Sequence, residues 1–273
     1  MLLITGANGQ LGRELAARIP DAVLTDSDVL DITDETAVID FVKNHNIDVI
    51  VNCAAYTAVD KAEDEEDVAR RVNVDGPRNL AKTGAKIIHI STDYVFDGNG
   101  CRPYTPDMTT NPVSVYGKTK REGEVAVLEN SNCAIIIRTA WLYSVHGNNF
   151  VKTMRRLGAE KEEINVVADQ VGTPTFAGDL ADAIVQIIPQ LQPENSGVYH
   201  FTNEGVCSWF DFATEIMDMS GLGCVVNPIK SSQYPTCAVR PSYSVLDKCK
   251  IKSTFGVKIQ HWKKGLEKCL KQF

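Results

Sequence analysis

MLLITGANGQLGRELAARI, Met1 to Ile19, decides how this chain folds. Leu2, Leu3, Ile4 and Thr5 form a short apolar run. Gly6, Gly9 and Gly12 follow, and Leu11, Leu15, Ala16 and Ile19 recur at helical spacing. That order predicts a strand, a tight turn and a helix. Glycines in such a turn admit positive φ and close backbone approach, and the helix start offers free N–H groups to a pyrophosphate. Downstream, Asp26 closes a second apolar run, AVLT (22–25). An acid there suits a ribose 2′-hydroxyl. The stretch therefore reads as a dinucleotide site built from Gly6, Asn8, Gly9, Gln10, Leu11, Gly12 and Asp26.

The pattern continues outward. ETAVIDFVKNH (35–45) reads as a helix and IDVIVNCAA (47–55) as a strand. EDVARRVNVDGPRNLAKTG (66–84) is a helix ended by Gly84, and KIIHIST (86–92) a fourth strand. SVYGKTKREGE (114–124) starts a long helix, and CAIIIRTAWLY (133–143) contains a fifth strand. Continuous apolar strands alternating with helices predict an α/β fold, a Rossmann-type doubly wound parallel sheet covered on both faces.

After residue 145 the alternation weakens. Helices are expected at 148–161, 179–191, 208–223 (ended by Gly221) and 261–273, with short strands at 164–170 and 197–203. QYPTCAVRPSYSVLD (233–247) reads as a loop. The expected division is a dinucleotide-binding domain at 1–145 and a smaller, discontinuous, mainly substrate-binding domain at 146–273. Segments near 164–188 and 222–247 are expected to return to the first domain.

Composition excludes several function classes. The 273 residues are 44% hydrophobic and 23% charged, with net charge -7. Lys and Arg form no stripe, so no nucleic-acid partner is expected. No apolar run approaches the roughly 18 residues that read as a membrane span. The first strand follows Met1 directly, which on this reading leaves no room for a secretory leader. The closest cysteines, Cys237 and Cys249, lack zinc-site spacing. All eight cysteines therefore read as reduced thiols of a cytoplasmic protein, with no metal. The five histidines read as structural or surface residues.

Tyr116 and Lys120 stand four residues apart. That step is about 400° of rotation and about 6 Å of rise, so both lie on one helix face. A lysine cation beside a phenol is expected to lower a pKa otherwise near 10, which suits acid–base work. Thr92 or Ser91, ending the fourth strand, could share the substrate oxygen. Trp141 alone reads as core or ligand, and Asp169-Gln170 as a loop brace. DKAEDEED (60–67) reads as a solvated helix start, with Lys61 a weaker candidate for leaning toward substrate. TDSDVLD (25–31) offers no cation to a 2′-phosphate. NADH is therefore the expected cofactor, with NADPH as the alternative.

TGANGQLG (5–12), NCAAYT (52–57), STDYVF (91–96) and YGKTK (116–120), in this order, resemble the extended short-chain dehydrogenase/reductase superfamily. AYTAVDKAE (55–63), STDYVFDG (91–98), RTAWLY (138–143), NNF (148–150), ADQVGTPT (168–175) and RPSYSVLD (240–247) narrow this. They are similar to the dTDP-4-dehydrorhamnose reductase family, from Met1 to at least Asp247. Tyr243 stands where that family often has Asn.

The resemblance implies that Thr92, Tyr116 and Lys120 are catalytic, Tyr116 protonating a C4 ketone oxygen as hydride arrives. Lys120 would also hold the nicotinamide ribose. It places Ala54, Ala55, Tyr56 and Tyr116 beside the cofactor and Asp31 and Ile32 at its adenine, with Asn73 in support. Val59, Thr92, Asp93, Tyr94, Trp141 and Asn149 would border the sugar. Arg240 would meet the diphosphate, where a planar fork can take two oxygens. The implied partner is a dTDP sugar, and a homodimer is the assembly considered.

Alternatives stand beside this. Tyr94 occupies the position where sugar-nucleotide dehydratases carry a Glu, which argues against elimination. Another nucleotide-sugar 4-ketoreductase, or a 4-epimerase, would share Thr92, Tyr116 and Lys120. A non-catalytic subunit resembling the regulatory subunit of methionine adenosyltransferase is the alternative from another class.

Overall fold

Leu3 and Ile4 are both fully buried but belong to different cores. In a strand, successive side chains face opposite ways. The same split recurs at Ile50 and Val51, at Ile87 and Ile88, and at Ile136 and Ile137. One sheet therefore carries a core on each face. A computed structural model describes all 273 residues, Met1–Phe273.

β1 (Leu2–Thr5) turns into α1 (Gln10–Arg18), followed by β2 (Val23–Thr25), α2 (Glu35–Asn44) and β3 (Val49–Asn52). A short α3 (Val59–Ala62) precedes α4 (Glu66–Arg70), which runs through a π-helical turn at Arg71–Asp75 into α5 (Gly76–Lys82). β4 (Lys86–Thr92), α6 (Val115–Asn130) and β5 (Ala134–Thr139) complete the first alternation. Next come β6 (Leu142–Tyr143), α7 (Phe150–Glu160), β7 (Glu163–Val167), β8 (Val171–Gly172), β9 (Thr175–Phe176) and α8 (Ala177–Ile187). The chain ends with β10 (Gly197–His200), β11 (Cys207–Ser208), α9 (Trp209–Ser220), β12 (Val225–Ile229), α10 (Cys249–Phe255) and α11 (Trp262–Leu270).

The main sheet has the order β10-β5-β4-β3-β1-β2, and every pair is parallel. One face packs Leu11 and Leu15 of α1, Leu180 and Ile184 of α8, and Phe255 of α10. The other packs Val38 and Val42 of α2, Leu80 of α5 and Val127 of α6. A separate core joins Val151, Ile164, Phe176, Phe212, Ile216, Trp262 and Leu266.

The segments after residue 145 distribute unevenly. β10, read from sequence with the later part, is the sixth strand of the main sheet, registered on β5 from Gly197↔Ile135 to His200↔Arg138. β7 and β12 pair with each other outside that sheet, while α8 packs on α1. Gly221 ends α9 in the left-handed conformation, φ 65°, as its position predicts.

The helix expected over 66–84 is interrupted by the π turn. π turns insert an extra residue and recur at functional sites. Here the turn presents Asn73, whose Oδ1 accepts from Tyr56 N at 2.9 Å and whose Nδ2 donates to Tyr56 O at 3.2 Å. Helix α6 closes on this turn at Gly123, where a Cβ would lie 2.0 Å from Asn73 O.

Candidate active site

β2 lies on one side of β1 and β3, β4 and β5 on the other. Ligands in open α/β sheets bind beyond the carboxyl ends of the strands at such a reversal. A cleft of about 1290 Å³ opens there. It gathers Gly6, Gly9, Gln10, Leu11, Gly12, Asp26, Asp31, Ile32, Ala54, Ala55 and Tyr56 with Val59, Thr92, Asp93, Tyr94, Tyr116, Lys120, Trp141 and Arg240. Asn8, Asn73 and Asn149 do not line it.

Gly6 has φ +64°, and a Cβ on it would lie 2.7 Å from Ala54 N. A Cβ on Gly12 would lie 2.3 Å from Gly6 O. Only glycine fits either place. Asn8 N donates to Asp26 Oδ2 at 3.1 Å, which fastens the acid to the turn. No side chain caps α1, so the N–H groups of its first turn stay open to an anion. A backbone cradle with no room for Cβ, an uncapped helix start and a fixed acid fit a nicotinamide dinucleotide. Arg13, missed from sequence, folds back so that its Nε donates to Asn8 O at 3.0 Å. It places a cation beside the turn that TDSDVLD itself lacks.

Helix α6 starts where Ser114 Oγ accepts from Gly117 N at 3.1 Å and Glu63 Oε1 accepts from Val115 N at 3.0 Å. Gly117 separates Tyr116 from Lys120 for a steric reason, since a Cβ there would lie 2.2 Å from Tyr94 O. The Tyr116 ring stands edge-on to Tyr94, centroids 5.4 Å apart.

The expected tuning of Tyr116 by Lys120 is corrected by the geometry. Lys120 Nζ donates to Ile90 O at 2.7 Å and approaches His89 Nε2 at 3.5 Å, with no bond to Tyr116. Ile90 is one residue past the last partner of β3 on β4, and the lysine stem turns back to it. Burial pushes the Tyr116 hydroxyl up rather than down, the Thr92 hydroxyl opposes this, and Asp93 and Tyr94 add to it. Ser91 is committed elsewhere, donating to Glu124 Oε1 at 2.6 Å. Thr92 is the hydroxyl at the cleft beside Tyr116, accepting from Tyr94 N at 3.2 Å and donating to Asp93 Oδ1 at 3.0 Å.

Arg121 to Glu124 look from sequence like the exposed side of α6, yet Glu124 is fully buried. Arg138 grips it with two bonds, at 2.8 and 2.7 Å. The acidic run 60–67 is likewise more than a solvated face. Asp60 takes Arg240 Nη2 and the Ala238 N–H, and Glu65 accepts from Tyr56 OH. Arg240 Nη1 also donates to Tyr94 OH at 3.0 Å. Lys61 is exposed and does not line the cleft.

Trp141 has φ +50°, a conformation rare outside glycine that concentrates at functional sites. Its ring stacks on Trp209 at 3.5 Å. Asn149, expected beside the sugar, instead caps α7, accepting from Lys152 N at 3.1 Å and donating to Ser144 O at 2.7 Å. Its neighbour Asn148 lines the cleft in its place. Asp169 braces the loop at Ser231, as expected. Tyr243 packs on Tyr104 and does not line the cleft.

Asp93 is 4% exposed and its Oδ2 has no partner. Burial pushes its pKa up to about 7, opposed mainly by the Thr92 hydroxyl, which donates to Oδ1 at 3.0 Å. Below about pH 4 both folded and unfolded chains hold this proton. Between there and about 7 only the folded chain keeps it, so stability falls as pH rises. Above 7 the loss is constant. Asp93→Asn is therefore expected to melt higher, with a gain that grows from pH 4 to 7 and levels at about 2–4 kcal/mol. A series of thermal melts across pH checks this, and a gain of constant size would contradict it.

The family model described as the RmlD substrate binding domain matches residues 1–273. A dTDP-4-dehydrorhamnose reductase of Aggregatibacter actinomycetemcomitans is 43% identical, over 97% of this chain and 97% of its own. A probable dTDP-4,6-dihydroxy-2-methyloxan-3-one 4-ketoreductase of Streptomyces antibioticus is 42% identical, over 97% of this chain and 92% of its own. The crystal structure of dTDP-4-dehydrorhamnose reductase from Bacillus anthracis in complex with NADP is similar at TM-score 0.96 and 41% identity, over 100% of this chain and 99% of its own.

Proposed function

The chain belongs to the dTDP-4-dehydrorhamnose reductase family of the extended short-chain dehydrogenases/reductases, and from that membership we propose its reaction. It reduces the C4 ketone of dTDP-4-dehydro-β-L-rhamnose to dTDP-L-rhamnose, an NAD(P)H-dependent step in nucleotide-sugar and cell-surface polysaccharide synthesis. One observation carries the assignment: Thr92, Tyr116 and Lys120 line the same cleft as the Gly6–Gly12 turn.

When bound, a reduced nicotinamide supplies hydride to the carbonyl carbon. Gly6, Gly9 and the first turn of α1 would hold its pyrophosphate, and Asp26 a ribose. Tyr116 keeps its proton because burial disfavours the phenolate. It gives that proton to the ketone oxygen as negative charge develops there. Thr92 Oγ1 lies beside the phenol, and its hydrogen, held by Asp93 Oδ1 at rest, turns to the phenolate as charge forms there. Arg240, held at the cleft by Asp60 and Tyr94, offers its fork to the diphosphate. Val59, Asp93, Tyr94 and Trp141 form the sugar side, and Asn73 supports the Tyr56 backbone from behind. On this reading residues 1–145 are mainly the cofactor side and 146–273 mainly the substrate side.

The cofactor reading is NADH ahead of NADPH. Asp26 stands where a 2′-phosphate would be repelled, while Arg13 makes NADPH tolerable. The expected result is a kcat/KM for NADH above that for NADPH, and a strong preference for NADPH would overturn it. A panel of dTDP 4-keto sugars tests the substrate, with the highest kcat/KM expected for dTDP-4-dehydro-β-L-rhamnose.

The reading also carries a cytoplasmic protein and a homodimer. No helix is long and apolar enough to cross a membrane, and the cysteines are unpaired, which agrees with a reducing compartment. Light scattering of the purified chain reads the assembly.

A further inference from the structure

We propose that His89, held by Asn52 as its Nε2–H tautomer, is a positioning residue that hands a hydrogen bond to the Lys120 amine and so controls the proton on Lys120. This rests on Lys120 serving the reaction proposed above.

Donor and acceptor roles along one buried chain of groups fix the tautomer. Asn52 ends β3. Its Oδ1 accepts from Ala54 N at 3.1 Å and from Thr5 Oγ1 at 2.7 Å. A backbone N–H can only donate, so the Asn52 amide has one orientation. Its Nδ2 then faces His89 Nδ1 at 2.9 Å. An amide NH2 also only donates, so Nδ1 must accept. A neutral imidazole that accepts at Nδ1 carries its hydrogen on Nε2.

That Nε2–H faces Lys120 Nζ at 3.5 Å, while Nζ donates to Ile90 O at 2.7 Å. An ammonium has no lone pair and would turn N–H toward N–H. A neutral amine has the lone pair that this arrangement needs. Asn52 and His89 are fully buried and Lys120 is 2% exposed, so this chain of groups is shielded from bulk solvent.

The other groups facing Lys120 are few. Cys53, just past β3, is a thiol that burial pushes up to about 12. Glu124, one turn along α6, is already gripped by Arg138, Arg121 and Ser91. Burial lowers Lys120 to about 8, with Glu124 and Cys53 opposing. Burial and Lys120 keep His89 well below its ordinary value, hence neutral. Lys120 is thereby held where its charge changes close to working pH.

Asn52→Asp reverses the chain while keeping its shape. A carboxylate still accepts from Ala54 N and Thr5, and its second oxygen requires a hydrogen on His89 Nδ1. Nε2 then becomes an acceptor for the Lys120 ammonium. Heteronuclear NMR of the histidine ring nitrogens in the wild-type chain is expected to show His89 as Nε2–H. NMR titration of Lys120 Nζ is expected near 8, and in Asn52→Asp to move up by about one unit with His89 protonated on Nδ1.

Wild-type His89 protonated on Nδ1 would overturn the proposal even if the variant fails to fold. So would an unmoved Lys120 midpoint in a folded variant with the reversed tautomer. These readouts need no turnover. If they hold while no keto sugar is reduced, the assigned reaction fails and the His89–Lys120 coupling stands.

Discussion

Replacing Tyr116 by Phe is expected to slow ketone reduction roughly 100- to 10,000-fold, the range a positioned proton donor contributes. The substitution removes one oxygen. The edge-on packing against Tyr94 depends on the ring and is retained. The helix start is also untouched, because it relies on Ser114, Glu63 and Gly117. Cofactor affinity should therefore change little, since Gly6, Gly12 and Asp26 are intact. The loss should fall on kcat, with KM for the sugar little altered, because the proton is needed only as charge forms on the ketone oxygen. Steady-state kinetics with a separate cofactor titration checks this. Unchanged kcat would remove Tyr116 from the mechanism, and would favour a binding subunit if the wild type were equally inactive.

Glu124→Gln should have the largest effect on stability. Glu124 and Arg138 are 0% and 2% exposed in their side chains. Desolvating two charges is costly, so the pair is weak evidence of net stabilisation. Breaking it is a different matter, because an unpaired guanidinium is left inside the protein. The expected loss is about 3–5 kcal/mol, read as a fall in the urea unfolding free energy. The double variant Glu124→Leu with Arg138→Met should recover much of it, since no lone charge then remains. The pair joins α6 to β5, so its loss should also loosen Tyr116 and Lys120.

Much of the cofactor side was legible because its chemistry is local. Gly6, Gly9 and Gly12 carry their meaning within seven residues, and the Tyr116–Lys120 spacing follows from one helical turn. The interactions that tune the site join distant residues. Lys120 finds Ile90 O and His89, on β4 some 30 residues upstream. Asp60 meets Arg240 across 180 residues, so the acidic run looked like a solvated face. Glu124 looked exposed because its partner comes from the next strand. The π turn leaves no mark in the apolar pattern of 66–84. Asn149 is different, for an Asn directly before a helix is a readable cap signal. Resemblance assigns it to the sugar, and Asn148 lines the cleft instead.

The most direct test follows cofactor oxidation when dTDP-4-dehydro-β-L-rhamnose is added to the purified chain with NADH. One NADH should be oxidised for each dTDP-L-rhamnose formed, and almost none with Tyr116→Phe. Sugar conversion without net oxidation would indicate an epimerase, and cofactor binding with no conversion a non-catalytic protein; either result rules out the reductase.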